Sequence, residues 1–150
     1  MSACLEDKDA IRELLADYCF RLDGYRLADF AGLFAEDGEW SSRDGRAVGR
    51  PAIEALLRRM VPEPAAGQRR KHFTTNIIIK LHGDSADVVS NFLVVRDSPA
   101  GPVIAVAGTY DDVAVRRDGS WQFKSRRLSH DIAGESGLKE VTGPYGVVGQ

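Results

Sequence analysis

Three side chains carry the means to move a proton and have no obvious structural reason for their positions: Asp23, His72 and Tyr18. The apolar pattern closes a helix at Gly24, so Asp23 falls in its last turn, where the helix dipole favours a cation. An acid there calls for another partner, or else faces water or forms an Asx-turn with Gly24. His72 opens a strand-like segment after a basic loop; a histidine titrates near neutral pH and suits acid-base work, but at a strand end it is equally at home as a surface residue. Tyr18 lies on the buried face of the same helix as Asp23, so its hydroxyl must find a hydrogen-bond partner or point into a pocket. Together the three could perform general acid-base catalysis.

His82 and His130, in a turn and near the end of the last strand, read as surface residues. No His-x-x-His or Cys-x-x-Cys spacing suggests a metal site. A dinucleotide fingerprint, a P-loop and a nucleophile elbow are also missing from the sequence. Any reaction is therefore expected to need no cofactor. Asn76, Ser90, Asn91 and Tyr110 are polar residues in otherwise apolar strands, which a wholly packed sheet face would have little use for.

The elements that must position these groups follow from the period of the pattern. Ile11, Leu14, Leu15, Tyr18 and Leu22 form one helical face, with Asp7 or Asp9 as N-cap and Gly24 as the stop. A short helix is expected over 27–34 and a short strand around Trp40, entered by an acidic turn at Glu36-Asp37-Gly38. A third helix begins near Pro51, carries Ile53, Leu56, Leu57 and Met60, and ends before Pro62. Beyond the loop 61–71 the period becomes strand-like. Strands are expected over 72–82, 85–96, 103–117 and 120–131, with turns at Gly83-Asp84, 98–102 and Asp118-Gly119. Four long strands in an antiparallel meander have one face to bury, and only the three amphipathic helices can cover it. The expected fold is α+β: a curved, mostly antiparallel sheet wrapped on N-terminal helices as a cone, with a small-molecule pocket at its mouth.

Length and composition agree with this. A chain of 150 residues, 43% apolar and 28% charged, is expected to form one ordered domain over 1–131. The stretch 132–150 carries five glycines and reads as a tail. A formal net charge of -2 argues against nucleic acid as a partner. Cys4 and Cys19, on one helix, would lie about 22 Å apart, far beyond disulfide reach. The acidic start lacks the features of a signal peptide and no stretch approaches transmembrane length, so no membrane contact is expected and a reducing, cytoplasmic setting is the default.

The motifs Ile11-Arg-Glu-Leu-Leu-Ala-Asp17-Tyr18, Leu33-Phe34-Ala-Glu-Asp-Gly-Glu-Trp40, Gly49-Arg50-Pro51, His72-Phe-Thr-Thr-Asn76 and Asp118-Gly-Ser-Trp121, together with Asp23, stand in a telling order. In this the chain resembles the SnoaL-like branch of the NTF2-like superfamily over about residues 5 to 131. Within that branch it is similar to the group holding scytalone dehydratase, bile-acid dehydratase and lindane dehydrochlorinase. The resemblance implies an Asp23/His72 dyad, a leaving-group role for Tyr18, and a cationic residue at Arg126, although strand alternation leaves open whether Arg126 or Arg127 points inward. It places Asn91 where scytalone dehydratase has a second histidine. Trp40, Phe34, Met60, Asn91 and Tyr110 are the expected contacts to substrate. The implied activity is a cofactor-free lyase, a dehydratase or dehydrohalogenase acting on a small cyclic or aromatic-precursor metabolite. Alternatives are an isomerase like ketosteroid isomerase, a non-catalytic small-molecule binder, or an oxygenase small subunit. A homodimer through the sheet, or a homotrimer, is expected.

Overall fold

The computed structural model describes residues 2–133; most of the glycine-rich tail expected over 132–150 lies outside the described residues. Three helices, α1 (Ser2–Asp23), α2 (Leu27–Ala31) and α3 (Arg50–Met60), pack on a six-stranded sheet. Its strands are β1 (Phe34–Ser42), β2 (Gly45–Val48), β3 (Arg70–His82), β4 (Ser85–Arg96), β5 (Val103–Arg117) and β6 (Ser120–Ala133). Their order is β2-β1-β6-β5-β4-β3, antiparallel except where β1 runs parallel to β6.

The α1 face built from Ile11, Leu14, Leu15, Tyr18, Cys19 and Leu22 is buried, as the spacing requires. The helix begins five residues before the expected Asp7 cap. Asp7 is no cap; its carboxylate accepts hydrogen bonds from Trp121 Nε1 (3.0 Å) and Arg116 Nη1 (2.7 Å), tying the start of α1 to the β5–β6 hairpin. That hairpin turns on Asp118 and Gly119 with φ of 52° and 77°, the left-handed pair that a two-residue turn demands. The second helix is shorter than expected and Phe34 already belongs to β1. Glu36 and Asp37 form an irregularity within β1 rather than a turn before it. The sequence reading also missed β2, which pairs with β1 around Arg43-Asp44.

Bulges decide which side chains face inward. In β3 the register slips between Thr75 and Ile78, and Asn76 takes up the extra residue with φ of 56°. Before the bulge Arg70, His72 and Thr74 face the helices; after it Ile77, Ile79 and Leu81 do. A second bulge, at Lys124 in β6, separates inward Trp121 and Phe123 from inward Arg126, Leu128 and His130. Asn tolerates the left-handed conformation better than any branched residue. Asn76→Val is accordingly expected to lose about 1–2 kcal/mol in urea denaturation, with Asn76→Gly close to wild type.

Candidate active site

The end of α1 and the start of β3 are joined by a ladder of polar contacts. Cys19 Sγ lies 3.3 Å from Thr74 Oγ1. One helical turn further on, Asp23 meets His72. The His72 backbone N–H donates to both carboxylate oxygens, Oδ2 at 3.0 Å and Oδ1 at 3.2 Å, and ring Nδ1 lies 2.6 Å from Oδ1. This is the partner that the unfavourable helix-end position of Asp23 called for. Because a carboxylate can only accept, its contact assigns the imidazole proton to Nδ1 and leaves Nε2 as the basic nitrogen. The side chains are nearly enclosed, His72 at 14% and Asp23 at 10% exposure.

His72 forms part of the wall of a cavity of about 70 Å³, lined by Tyr18, Leu22, Trp40, Leu57, Met60, Val61, Phe92, Val94, Val106, Tyr110 and Leu128, with Ser42, Arg43, Asp44, Arg70 and His130 as its polar members. The wall is aromatic: Tyr18 meets Tyr110 edge to face at 5.7 Å, and Phe92 stacks on Tyr110 at 4.6 Å. Tyr18 Oη accepts a hydrogen bond from Trp40 Nε1 (3.1 Å), which leaves its own proton for a different acceptor. Burial raises the Tyr18 pKa, against the lowering effect of Arg126 and of the Trp40 bond, and keeps the phenol protonated.

Tyr18, Trp40, Met60, His72 and Tyr110 thus share one cavity, with Asp23 behind His72. Three other expected site residues lie elsewhere. Phe34 is wholly buried in the core against Phe30 and Phe123. Asn91 is exposed, because alternation in β4 turns Phe92 and Val94 inward. Arg126 is the inward member of its pair but stands behind the wall. Its guanidinium is wholly buried, forms a bidentate ion pair with Asp112 (2.8 and 2.7 Å), and lies 4.1 Å from the Tyr18 ring centre and 3.8 Å from that of Tyr110. Burial disfavours this charge, but Asp112 outweighs burial and holds the group above its ordinary pKa. Arg127 points out to Asp111.

The expectation for His130 needs correcting. Instead of a surface position it takes an inward one, its side chain 8% exposed, edge-on to Phe92 at 5.9 Å. Gly108, opposite it on β5, has no room for a side chain, since a Cβ there would run into the Ser129 carbonyl oxygen and come within 2.7 Å of the Phe92 ring. Asp44 was missed along with β2, although the turn-forming dipeptide Asp44-Gly45 was a visible signal. Arg70 falls within the loop expected over 61–71, but it is the first residue of β3. Among the described residues no group of three or more His, Cys, Asp or Glu could hold a metal ion, and no helix is long and apolar enough to cross a membrane.

A curled, mostly antiparallel sheet closed over N-terminal helices around an apolar cavity defines the NTF2-like, cystatin-like class of fold. The chain belongs to the family of SnoaL-like domains, whose pattern matches residues 3–127. Comparison with curated protein sequences finds no significant match. Among solved structures it is similar to a single-residue variant of Rv3472, a Mycobacterium tuberculosis protein of unknown function: 29% identity over 87% of this chain and 75% of that one, TM-score 0.77. A candidate scytalone dehydratase from Novosphingobium aromaticivorans shows 28% identity over 90% and 91%, TM-score 0.75. An NTF2-like protein with a cystatin-like fold from the same species, at 24% identity over 85% and 84% and TM-score 0.75, shares the fold.

Proposed function

We propose that the chain is a cofactor-independent lyase, a dehydratase or dehydrohalogenase, acting on a small cyclic or aromatic-precursor metabolite held in the cavity. The observation that carries this reading is the Asp23–His72 ring contact of 2.6 Å at the wall of a cavity whose middle is apolar and aromatic. Nε2 of His72 takes a proton from carbon, and the C–H electron pair becomes the new carbon–carbon double bond. The leaving group departs from the adjacent carbon, as water with the proton of Tyr18 or as halide. Asp23 holds the imidazole tautomer and stabilises the imidazolium that forms. Arg70, two residues from His72 on the same strand face, adds a buried Nε without a hydrogen-bond partner among the described residues, a donor for oxygen on the substrate. The 28% identity to a candidate scytalone dehydratase supports the reaction class. Arg126 acts through the rings of Tyr18 and Tyr110, away from the substrate.

The exposed apolar residues Phe73, Ile78 and Val89 on β3 and β4 support a homo-oligomer formed through the sheet.

The test is proton exchange and turnover of small cyclic ketones, hydroxyketones and halocycles, followed by NMR in deuterated water, with wild type and His72→Ala. Exchange or elimination lost in the variant is the expected result. Return of the proton to a second carbon would make the enzyme an isomerase. Binding with no exchange in either protein across pH 6 to 9 would leave a ligand carrier.

A further inference from the structure

The cavity has a second polar end that the elimination chemistry does not use. Asp44, in the β1–β2 turn, and His130, on β6, are each 8% exposed, and their facing atoms Oδ2 and Nδ1 stand 4.0 Å apart. Neither atom has a hydrogen-bond partner among the described residues. Leaving a buried carboxylate oxygen and a ring nitrogen unmatched costs about 1–3 kcal/mol each, so such a pair needs an occupant. Their separation is too long for a direct hydrogen bond, yet one oxygen atom could sit at about 2.8 Å from both.

The surrounding charges select the kind of oxygen. Arg43 Nε lies 3.6 Å from Oδ1 of Asp44 and offsets its charge. Burial, and Arg43 nearby, hold the His130 imidazole below its ordinary pKa against the opposing pull of Asp44 and Asp131, so it is neutral at pH 7. An anionic group would face the Asp44 carboxylate; a cationic one would face Arg43 and Arg70, which line the same cavity. A neutral hydroxyl meets both needs, donating to Asp44 Oδ2 and accepting from His130 Nδ1–H. Between His130 on β6 and His72 on β3 lie three strand spacings, about 14 Å along the sheet. Both side chains line the one cavity. The wall between them is the aromatic surface of Phe92 and Tyr110.

We propose that Asp44 and His130 form a hydroxyl-recognition site, and that the ligand is a flat, neutral ring system bearing a hydroxyl at the end remote from His72. This deepens the lyase reading, on which its placement relative to the reacting carbon rests, but hydroxyl recognition is measured without turnover.

The probes are 2-naphthol with 2-methoxynaphthalene, and the smaller pair phenol with anisole, titrated by NMR into wild type, His72→Ala, Asp44→Ala and His130→Ala. Wild type and His72→Ala are expected to prefer the hydroxyl compound about tenfold or more, as for a hydrogen bond to a charged group. Asp44→Ala and His130→Ala should bind hydroxyl and ether alike. In wild type labelled with 15N-histidine, the His130 ring signals should move with the hydroxyl compound and stay in place with its ether, a reading that needs no variant to fold. Equal binding of hydroxyl and ether by wild type, no binding of either hydroxyl compound, or unmoved His130 signals would overturn the site and leave a pair bridged by water. Loss of turnover chemistry alone, with hydroxyl preference intact, would overturn the lyase and not this site.

Discussion

Asp23→Asn is expected to lower elimination by roughly 10²–10⁴-fold while leaving the fold intact, a loss on the scale of general base catalysis. The amide oxygen of the variant can still accept the His72 backbone N–H, so the junction of α1 with β3 keeps a hydrogen bond. The amide nitrogen then faces ring Nδ1 and donates to it. That reverses the tautomer, placing the imidazole proton on Nε2, where the base must be vacant. It also removes the negative charge that stabilises the imidazolium. Stopped-flow or NMR rates on the substrate identified with wild type would measure the loss. Two-dimensional 15N spectra of the imidazole would show the proton moved from Nδ1 to Nε2. Unchanged rates with the tautomer reversed would show that His72 is not the base.

The helices and the four-strand meander were legible because their signals are local: spacing on α1 and α3, and turn residues between strands. The dyad was legible as far as an acid at a helix C-terminus demanded a partner. What sequence reading could not supply was the face of each strand. Alternation assumes an unbroken ladder, but the bulge at Asn76 changes the inward parity within β3 and the one at Lys124 changes it within β6. Arg126 shows the consequence, turned inward in preference to Arg127, whereas Asn91 lies on β4, whose unbroken alternation carries it to the outer surface. His130 reads as a surface residue from its place near the end of the last strand, and its inward direction follows from that second bulge. Asp44 depended on a four-residue strand too short to show any period.

Arg126 carries the other large expectation, and it concerns stability. Arg126→Met would leave the Asp112 carboxylate buried and without its bidentate partner. It would also remove a cation lying within 4.4 Å of three aromatic ring centres, those of Tyr18, Tyr110 and Phe123. Breaking a buried pair from one side costs about 3–5 kcal/mol. In a domain of this size that corresponds to a fall in melting temperature of roughly 6–20 °C, at 2–4 °C per kcal/mol. Arg127→Met, which removes only the exposed contact with Asp111, should stay within about 0.5 kcal/mol. Replacing both buried partners, as Asp112→Leu with Arg126→Met, should recover much of the loss, because no orphaned charge then remains. Calorimetry on the three proteins separates the cases. If the double variant melts as low as Arg126→Met alone, the guanidinium's contact with the aromatic wall outweighs its charge pairing. In that case Arg126 holds Tyr18 and Tyr110 in place around the cavity, and the Asp112 ion pair serves to keep it there.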